Sequence, residues 1–174
     1  MAPGGRSDAI IETSVLVNFL KIGRTDLLAK HPTYRFVVPD LVRNEVTRYY
    51  AVQVARLDAA IAAGELLPDN PAGATDPAEL AAFAAMSTIK IGNGERAAIA
   101  AAAARGLPLA MDDRRAWRWS ASFSAAVPRE DTVTIVVALI KAGVLSVAEA
   151  DTIKADWQAN HKFTLTFGSF AERI

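Results

Sequence analysis

The stretch Asp8-Ala9-Ile10-Ile11-Glu12-Thr13-Ser14-Val15-Leu16 decides the fold. Asp8 to Ile11 has the short apolar run of a buried strand. Val15, Leu16, Phe19 and Leu20 then recur at helical spacing, so a helix follows at once. Thr13 or Ser14 is placed to cap it with a side-chain oxygen. Between strand and helix stands Glu12. In an open parallel sheet, ligands bind outside the carboxyl ends of the strands, where strand order switches. Glu12 is therefore either a solvated residue at a turn or a carboxylate where chemistry occurs, and this stretch alone leaves both readings open.

Working outward, the same alternation returns. Thr25 reads as the cap of a short helix, Asp26 to Lys30, ended by Pro32. Arg35 to Val38 is a second buried strand, stopped by Pro39. Asp40 to Ala63 carries the longest helical pattern, with Leu41, Val42, Val46, Tyr49 and Tyr50 on its early apolar face and Gly64 at its end. Glu65 to Pro68 fits a short edge strand, and Asp69 to Thr75 a loop rich in Pro, Gly and Asn. Asp76-Pro77 starts another helix, with the aspartate as cap and the proline in the first turn. The glycine turn Gly92-Asn93-Gly94 leads through Glu95 into an alanine-rich helix ending at Arg105-Gly106. Leu107 to Met111 is a further strand, and Asp112-Asp113 opens a helix holding Trp117 and Trp119. Ala125-Ala126-Val127 is the last candidate strand. Helices over Asp131 to Ala142 and, capped by Ser146, over Val147 to Asn160 precede an alternating tail. Short buried strands alternating with helices predict a three-layer α/β/α sandwich around a mainly parallel sheet.

Composition narrows the function. Just over half of the 174 residues are apolar, enough for one substantial core, and no apolar run reaches the length of a membrane span. The first residues lack the apolar centre of a signal peptide. With no cysteine, disulfide and thiolate chemistry are excluded. These absences favour a cytoplasmic protein. The formal net charge is zero, which argues against a strongly basic, non-specific nucleic-acid binder but leaves room for a local basic rim. His31 and His161 stand far apart, and no His/Cys cluster has metal spacing. Gly92-Asn93-Gly94 lacks the Lys-Ser/Thr ending of a P-loop. It reads as a turn that lets the following helix approach the sheet.

Four acidic places remain: Glu12, Glu45, Glu95 and the pair Asp112-Asp113. Each sits at or near a helix start, where a carboxylate complements the helix dipole. Their joint placement is harder to explain that way, because in a parallel sheet all strand carboxyl ends share one edge. Carboxylates converging there raise one another's pKa values or bind a cation. Oxygen donors without His or Cys select Mg²⁺ or Mn²⁺. Such an ion polarises phosphoryl oxygens, so the set points to a nuclease.

The sequence also resembles the PIN-domain nucleases, toxin-like subgroup. The resemblance rests on Ile10 to Leu16, Val38 to Val46, Gly94 to Ala100, Leu109 to Ala116 and Gly143 to Ala150, in that order, and runs along nearly the whole chain from Asp8. It implies a flexible N-terminus at 1–7 and one PIN-like domain over 8–174 with a C-terminal helical extension. It further implies Mg²⁺- or Mn²⁺-dependent RNA cleavage, a homodimer, and a small antitoxin as partner. Carried over by position, Glu12, Glu45, Glu95 and Asp113 are the catalytic carboxylates, with Asp112 as an adjacent metal ligand. Ser14 supports the first carboxylate, and Arg114 and Arg115 either contact RNA phosphates or neutralise the acidic pair. One departure stands out: Glu12 occupies a position where the family usually has aspartate. The extra methylene shifts the carboxylate outward, and Mg²⁺ demands near-ideal octahedral geometry. The alternative reading is a catalytically weakened or inactive module that binds RNA or a protein partner.

Overall fold

The computed structural model describes residues 5–69, 76–123 and 127–174. Five parallel strands form one sheet in the order β3-β2-β1-β4-β5. They are β1 Ser7–Ile11, β2 Tyr34–Val38, β3 Leu67–Pro68, β4 Leu109–Ala110 and β5 Arg129–Glu130. Helices pack on both faces, giving the α/β/α sandwich expected from the alternation. They are α1 Thr13–Lys21, α2 Thr25–Ala29, α3 Asp40–Tyr49, α4 Val54–Ala62, α5 Pro77–Ala85, α6 Asn93–Arg105, α7 Arg114–Phe123, α8 Thr132–Lys141 and α9 Val147–Asn160.

β1 is central because it is apolar on both sides: Ala9, Ile10 and Ile11 are all fully buried. The chain leaves β1 towards β2 and β3, then returns to its other side with β4 and β5. Strand order therefore switches at β1. Ile10 lies level with Val37 and Leu109, and Glu12 N–H donates to the Ala110 carbonyl at 2.9 Å. That bond holds Glu12 at the carboxyl edge of the switch. On one face, α6 buries Ala98, Ala100 and Ala101 completely. Side chains this small let its backbone lie close to the sheet.

Several elements differ from the pattern in the sequence. Neither Thr13 nor Ser14 caps α1; Glu12 does, accepting from Ser14 N–H at 2.8 Å. Thr25 begins α2 rather than capping it, and its hydroxyl donates to Glu65 instead. The helix expected over Asp40 to Ala63 is broken. Tyr50 leaves helical dihedrals at φ −133°, a 3₁₀ turn covers Ala51–Gln53, and α4 sets off from Val54. The break lets Tyr50 pack on the core while Arg56 donates to the carbonyls of Leu20 and Lys21, both at 2.7 Å. Those acceptors end α1, so tertiary contacts override local helix propensity. Tyr49 is left exposed.

The strand expected over Leu107 to Met111 shrinks to Leu109–Ala110, and the last strand is Arg129–Glu130. Ala125 and Ala126, placed in that strand by the sequence, lie outside the described residues, as does most of the loop at 69–75. The caps at Asp76 and Ser146 form as expected. Residues 1–4 also lie outside the described residues, and Ser7 already pairs with Tyr34. Of the two tryptophans two positions apart, Trp117 is buried and Trp119 largely exposed, as helical geometry requires. Among the described residues no helix is long and apolar enough to cross a membrane.

Candidate active site

Glu12 ends β1 and is almost wholly buried, with 3 % of its surface exposed. Its Oε2 accepts from Ser14 N–H and from the Ser14 hydroxyl. Burial pushes its pKa up to about 7, the Ser14 bonds oppose this, and the charges of Glu95 and Glu45 push it further up. Ser14 thus supports the first carboxylate, as the sequence suggested. The same hydroxyl accepts from Asp112 N–H at 3.0 Å, which ties the end of β1 to the end of β4.

Glu45 stands in the second turn of α3, the helix that follows β2. Thr13 Oγ1 donates to its Oε2 at 2.7 Å and Gly94 N–H to its Oε1 at 2.8 Å. A Cβ at Gly94 would overlap the Glu45 carboxylate, so any other residue there forces the Glu45 side chain to move. Glu95, in the first turn of α6, folds back to accept from Gly92 N–H at 2.5 Å. Burial raises its pKa, with Asp113 and Glu45 adding to the rise; the Gly92 bond and the charge of Arg115 oppose it. Asp113 accepts from the N–H groups of Arg115 and Ala116 at 2.7 and 2.8 Å, and so caps α7. Glu12 feels the charges of Glu95 and Glu45, and Glu95 those of Asp113 and Glu45, at the carboxyl edge of the switch. Arg115 supplies a counter-charge to Glu95, while Arg114 is exposed on the same helix start.

Asp112 faces other partners. Its Oδ1 accepts from Thr132 N–H at 2.8 Å, and its Oδ2 from Thr132 Oγ1 and Asn18 Nδ2 at 2.6 and 2.9 Å. It is a clamp joining the end of β4 to α1 and to the start of α8. Burial raises its pKa, opposed mainly by the Thr132 bonds. The sequence placed Asp112 among the metal ligands, whereas in the fold both its oxygens are held by this clamp.

Sequence reasoning missed Thr13 as a holder of Glu45, and Asn18 and Thr132 as the clamp. The adjacency of Thr13 to Glu12 was a signal; nothing in the sequence linked Asn18 to Thr132 across more than a hundred residues. A cavity of about 320 Å³ also opens beside Ser14 and Asp113, lined on its other side by residues 161–163. His161, assigned a structural or solvent-facing role by the sequence, lies on that lining.

The family of PIN domains matches the chain over residues 8–155. The chain belongs to the PIN-domain family. PIN domains are in general metal-dependent nucleases, and the parallel sheet with acidic residues at its switch fits that assignment. No curated protein matches the chain. The donor chemistry of this PIN domain suits a hard divalent cation: carboxylate oxygens only, one of them buried among like charges. The positions are less ready. Among the described residues no three Asp, Glu, His or Cys side chains form a group that could hold a metal ion. One oxygen of each of Glu12, Glu95 and Asp113, and both of Glu45, accept from neighbouring N–H or hydroxyl donors.

Proposed function

We propose that this PIN domain is a metal-dependent endoribonuclease acting as the toxin of a toxin–antitoxin pair. The observation that carries the reading is the electrostatic coupling of Glu12 with Glu45 and Glu95, and of Glu95 with Asp113, at the strand-order switch. Glu12, Glu45, Glu95 and Asp113 would hold Mg²⁺ or Mn²⁺. When bound, the ion supplies polarisation of a phosphodiester oxygen and a lowered pKa for water. The chain's own part is positioning. Thr13 and Gly94 hold Glu45 from two sides, Ser14 fixes the rotamer of Glu12, and Asp113 is set by the start of α7. In the metal-free chain Glu12 keeps its proton up to near neutrality, and a bound cation would displace it. Arg114 and Arg115, at the exposed start of α7, are placed to meet RNA phosphates.

The test is incubation of the purified chain with mixed single-stranded RNAs and Mn²⁺. Cleavage is expected, abolished by chelator and by Asp113→Asn. Cleavage indifferent to both overturns the mechanism. A second reading, a PIN module that binds without cutting, draws on Glu12 in place of aspartate and on the local engagement of every carboxylate. Glu12→Asp separates the two: activity that emerges only in this variant identifies the parent as a weakened nuclease. For the toxin role, the proposed restraint is a small antitoxin whose arginine enters between the carboxylates, in competition with the metal. Relief of growth arrest by a co-expressed neighbouring reading frame is the expected result.

A further inference from the structure

The cavity beside the carboxylates has a chemistry of its own. Asp112 and Asp113 line it together with Ser14, and Lys21, Tyr50, Lys162 and Phe163 are also on its lining. Its volume of about 320 Å³ lies at the small end of ligand-sized pockets. Lys21 closes α1, and its ammonium lies 5.6 Å from the centre of the Tyr50 ring. Among the described residues neither Lys21 nor Lys162 pairs with a carboxylate. Two unneutralised ammonium groups therefore border an acidic edge, with two aromatic rings between the same walls.

The segment carrying Lys162 is fixed rather than loosely draped. His161 and Phe163 N–H groups both donate to the Trp157 carbonyl, at 3.0 and 3.2 Å. Trp157 is fully buried, donates from Nε1 to the Asn18 carbonyl at 2.8 Å, and meets Phe19 and Phe163 edge-on. Through Trp157 the segment is bolted to α1, the helix that carries Ser14. Between His161 and Phe163, Lys162 adopts φ 54°, the single positive value at a non-glycine residue among those described. A left-handed residue just past a helix end turns the chain out of the helix, and here it fixes Lys162 between the two amides that donate to Trp157. Residues 161–163 also lie beyond the span 8–155 that the family matches.

We propose that this cavity is a subsite for the RNA nucleotide adjoining the scissile phosphodiester. Lys21 and Lys162 hold its phosphate, and Tyr50 and Phe163 offer ring faces or edges to its base. The inference rests on the reading that the neighbouring carboxylates face an RNA backbone. Cations beside carboxylates give the site a division of labour. An adjoining phosphate docks on the lysines, while the reacting one meets the acidic edge. Ring stacking tolerates any base, so the subsite selects single-stranded RNA rather than a sequence.

The experiment uses the full chain and a fluorescein-labelled, mixed-sequence 12-nucleotide RNA, read by anisotropy across a salt series and then by cleavage with Mn²⁺. Lys21→Gln with Lys162→Gln should weaken binding by about tenfold or more and flatten the salt dependence by about 0.7 in log–log slope, the one single-strand phosphate that they share. Lys30→Gln with Lys141→Gln, on other surfaces, should change neither. Lys162→Gly keeps the left-handed turn that glycine adopts freely, so it should weaken RNA binding with an unchanged or higher melting temperature. Unaltered affinity and slope in both the double variant and Lys162→Gly overturns the subsite. A parent that binds through these lysines yet never cuts sinks the nuclease reading and leaves the subsite standing. A parent that cuts, with rate and affinity indifferent to the lysines, sinks the subsite alone.

Discussion

Asp112 and Asp113 are neighbours in the chain with opposite surroundings. Asp112 receives three donors within the clamp, whereas exposed Asp113 receives two helix amides on one oxygen and keeps the other free of protein donors among the described residues. Replacing each by asparagine should therefore separate stability from activity. In Asp112→Asn an NH₂ must face Thr132 or Asn18, and losing a charge-assisted buried bond costs about 1–3 kcal/mol. Asp113→Asn keeps an oxygen to cap α7, so its stability should move by less than about 0.5 kcal/mol while cleavage is lost. Urea melts beside a cleavage assay check both; equal destabilisation by the two variants would show that the clamp is not what distinguishes them. Glu12 sets a second residue-scale expectation. Its pKa rises from 4.5 to about 7, so between those values the native chain keeps a proton that the unfolded chain has lost. Stability of the metal-free protein must then fall as pH rises through that window, by about 3 kcal/mol in all. His31 pulls the other way. Burial lowers its pKa from 6.5 to about 4, so its contribution is lost as pH falls through that range. The parent curve thus mixes opposing slopes, and Glu12→Gln isolates one of them. Its melting temperature should equal the parent's near pH 4.5 and exceed it increasingly up to pH 8.

At the scale of elements, the site is built by close approach of α6 to α3. Gly94 donates to Glu45 from a position where a methyl group would overlap the carboxylate. Gly94→Ala is therefore expected to displace Glu45 from its Thr13 and Gly94 donors, and to lower cleavage at least tenfold by misplacing one carboxylate. Its melting temperature should drop by only a few degrees, because overpacking at one helix start costs about 1–3 kcal/mol. A variant with full activity would mean that Glu45 needs no such support. The sequence marked Gly94 as a device for bringing α6 close to the sheet, which it is, but did not show that Glu45 of α3 is what the glycine itself meets. That gap has a general cause. Periodicity and caps are local, and they revealed β1, β2, α6, α9 and the sandwich itself. What they cannot carry is which side chain meets which across the fold. The break at Tyr50 exists because Arg56 reaches the end of α1, and the Asn18–Asp112–Thr132 clamp joins three elements remote in sequence. The four carboxylates were legible as positions along a shared edge. Of their local hydrogen bonds only the support of Glu12 by Ser14 was legible; those that hold Glu45 and Glu95 come from backbone and hydroxyl donors the sequence does not pair with them.

For the whole molecule, the acidic edge makes folding and cation binding one equilibrium. A cation that binds only the native chain stabilises it by mass action, and about 2.7 kcal/mol follows when it is present at a hundred times its Kd. For a chain of this size that raises the melting temperature by about 5–10 °C. The burial of Glu12, with like charges beside it, makes the effect depend on pH in a definite direction. Below pH 7 a cation must displace the Glu12 proton, so apparent affinity falls by up to tenfold per unit of pH. The Mn²⁺-induced shift should accordingly be large at pH 8 and small at pH 5.5, opposite in trend to the metal-free stability contributed by Glu12. In Glu45→Gln with Asp113→Asn the shift should shrink at both pH values, while the metal-free melting temperature holds or rises because two repulsive charges have gone. Differential scanning fluorimetry with and without millimolar Mn²⁺, at the two pH values, reads all of this. An equal Mn²⁺ shift in both proteins, or a shift in neither, would mean that these carboxylates do not share a cation, and that the edge of the sheet serves binding rather than cleavage.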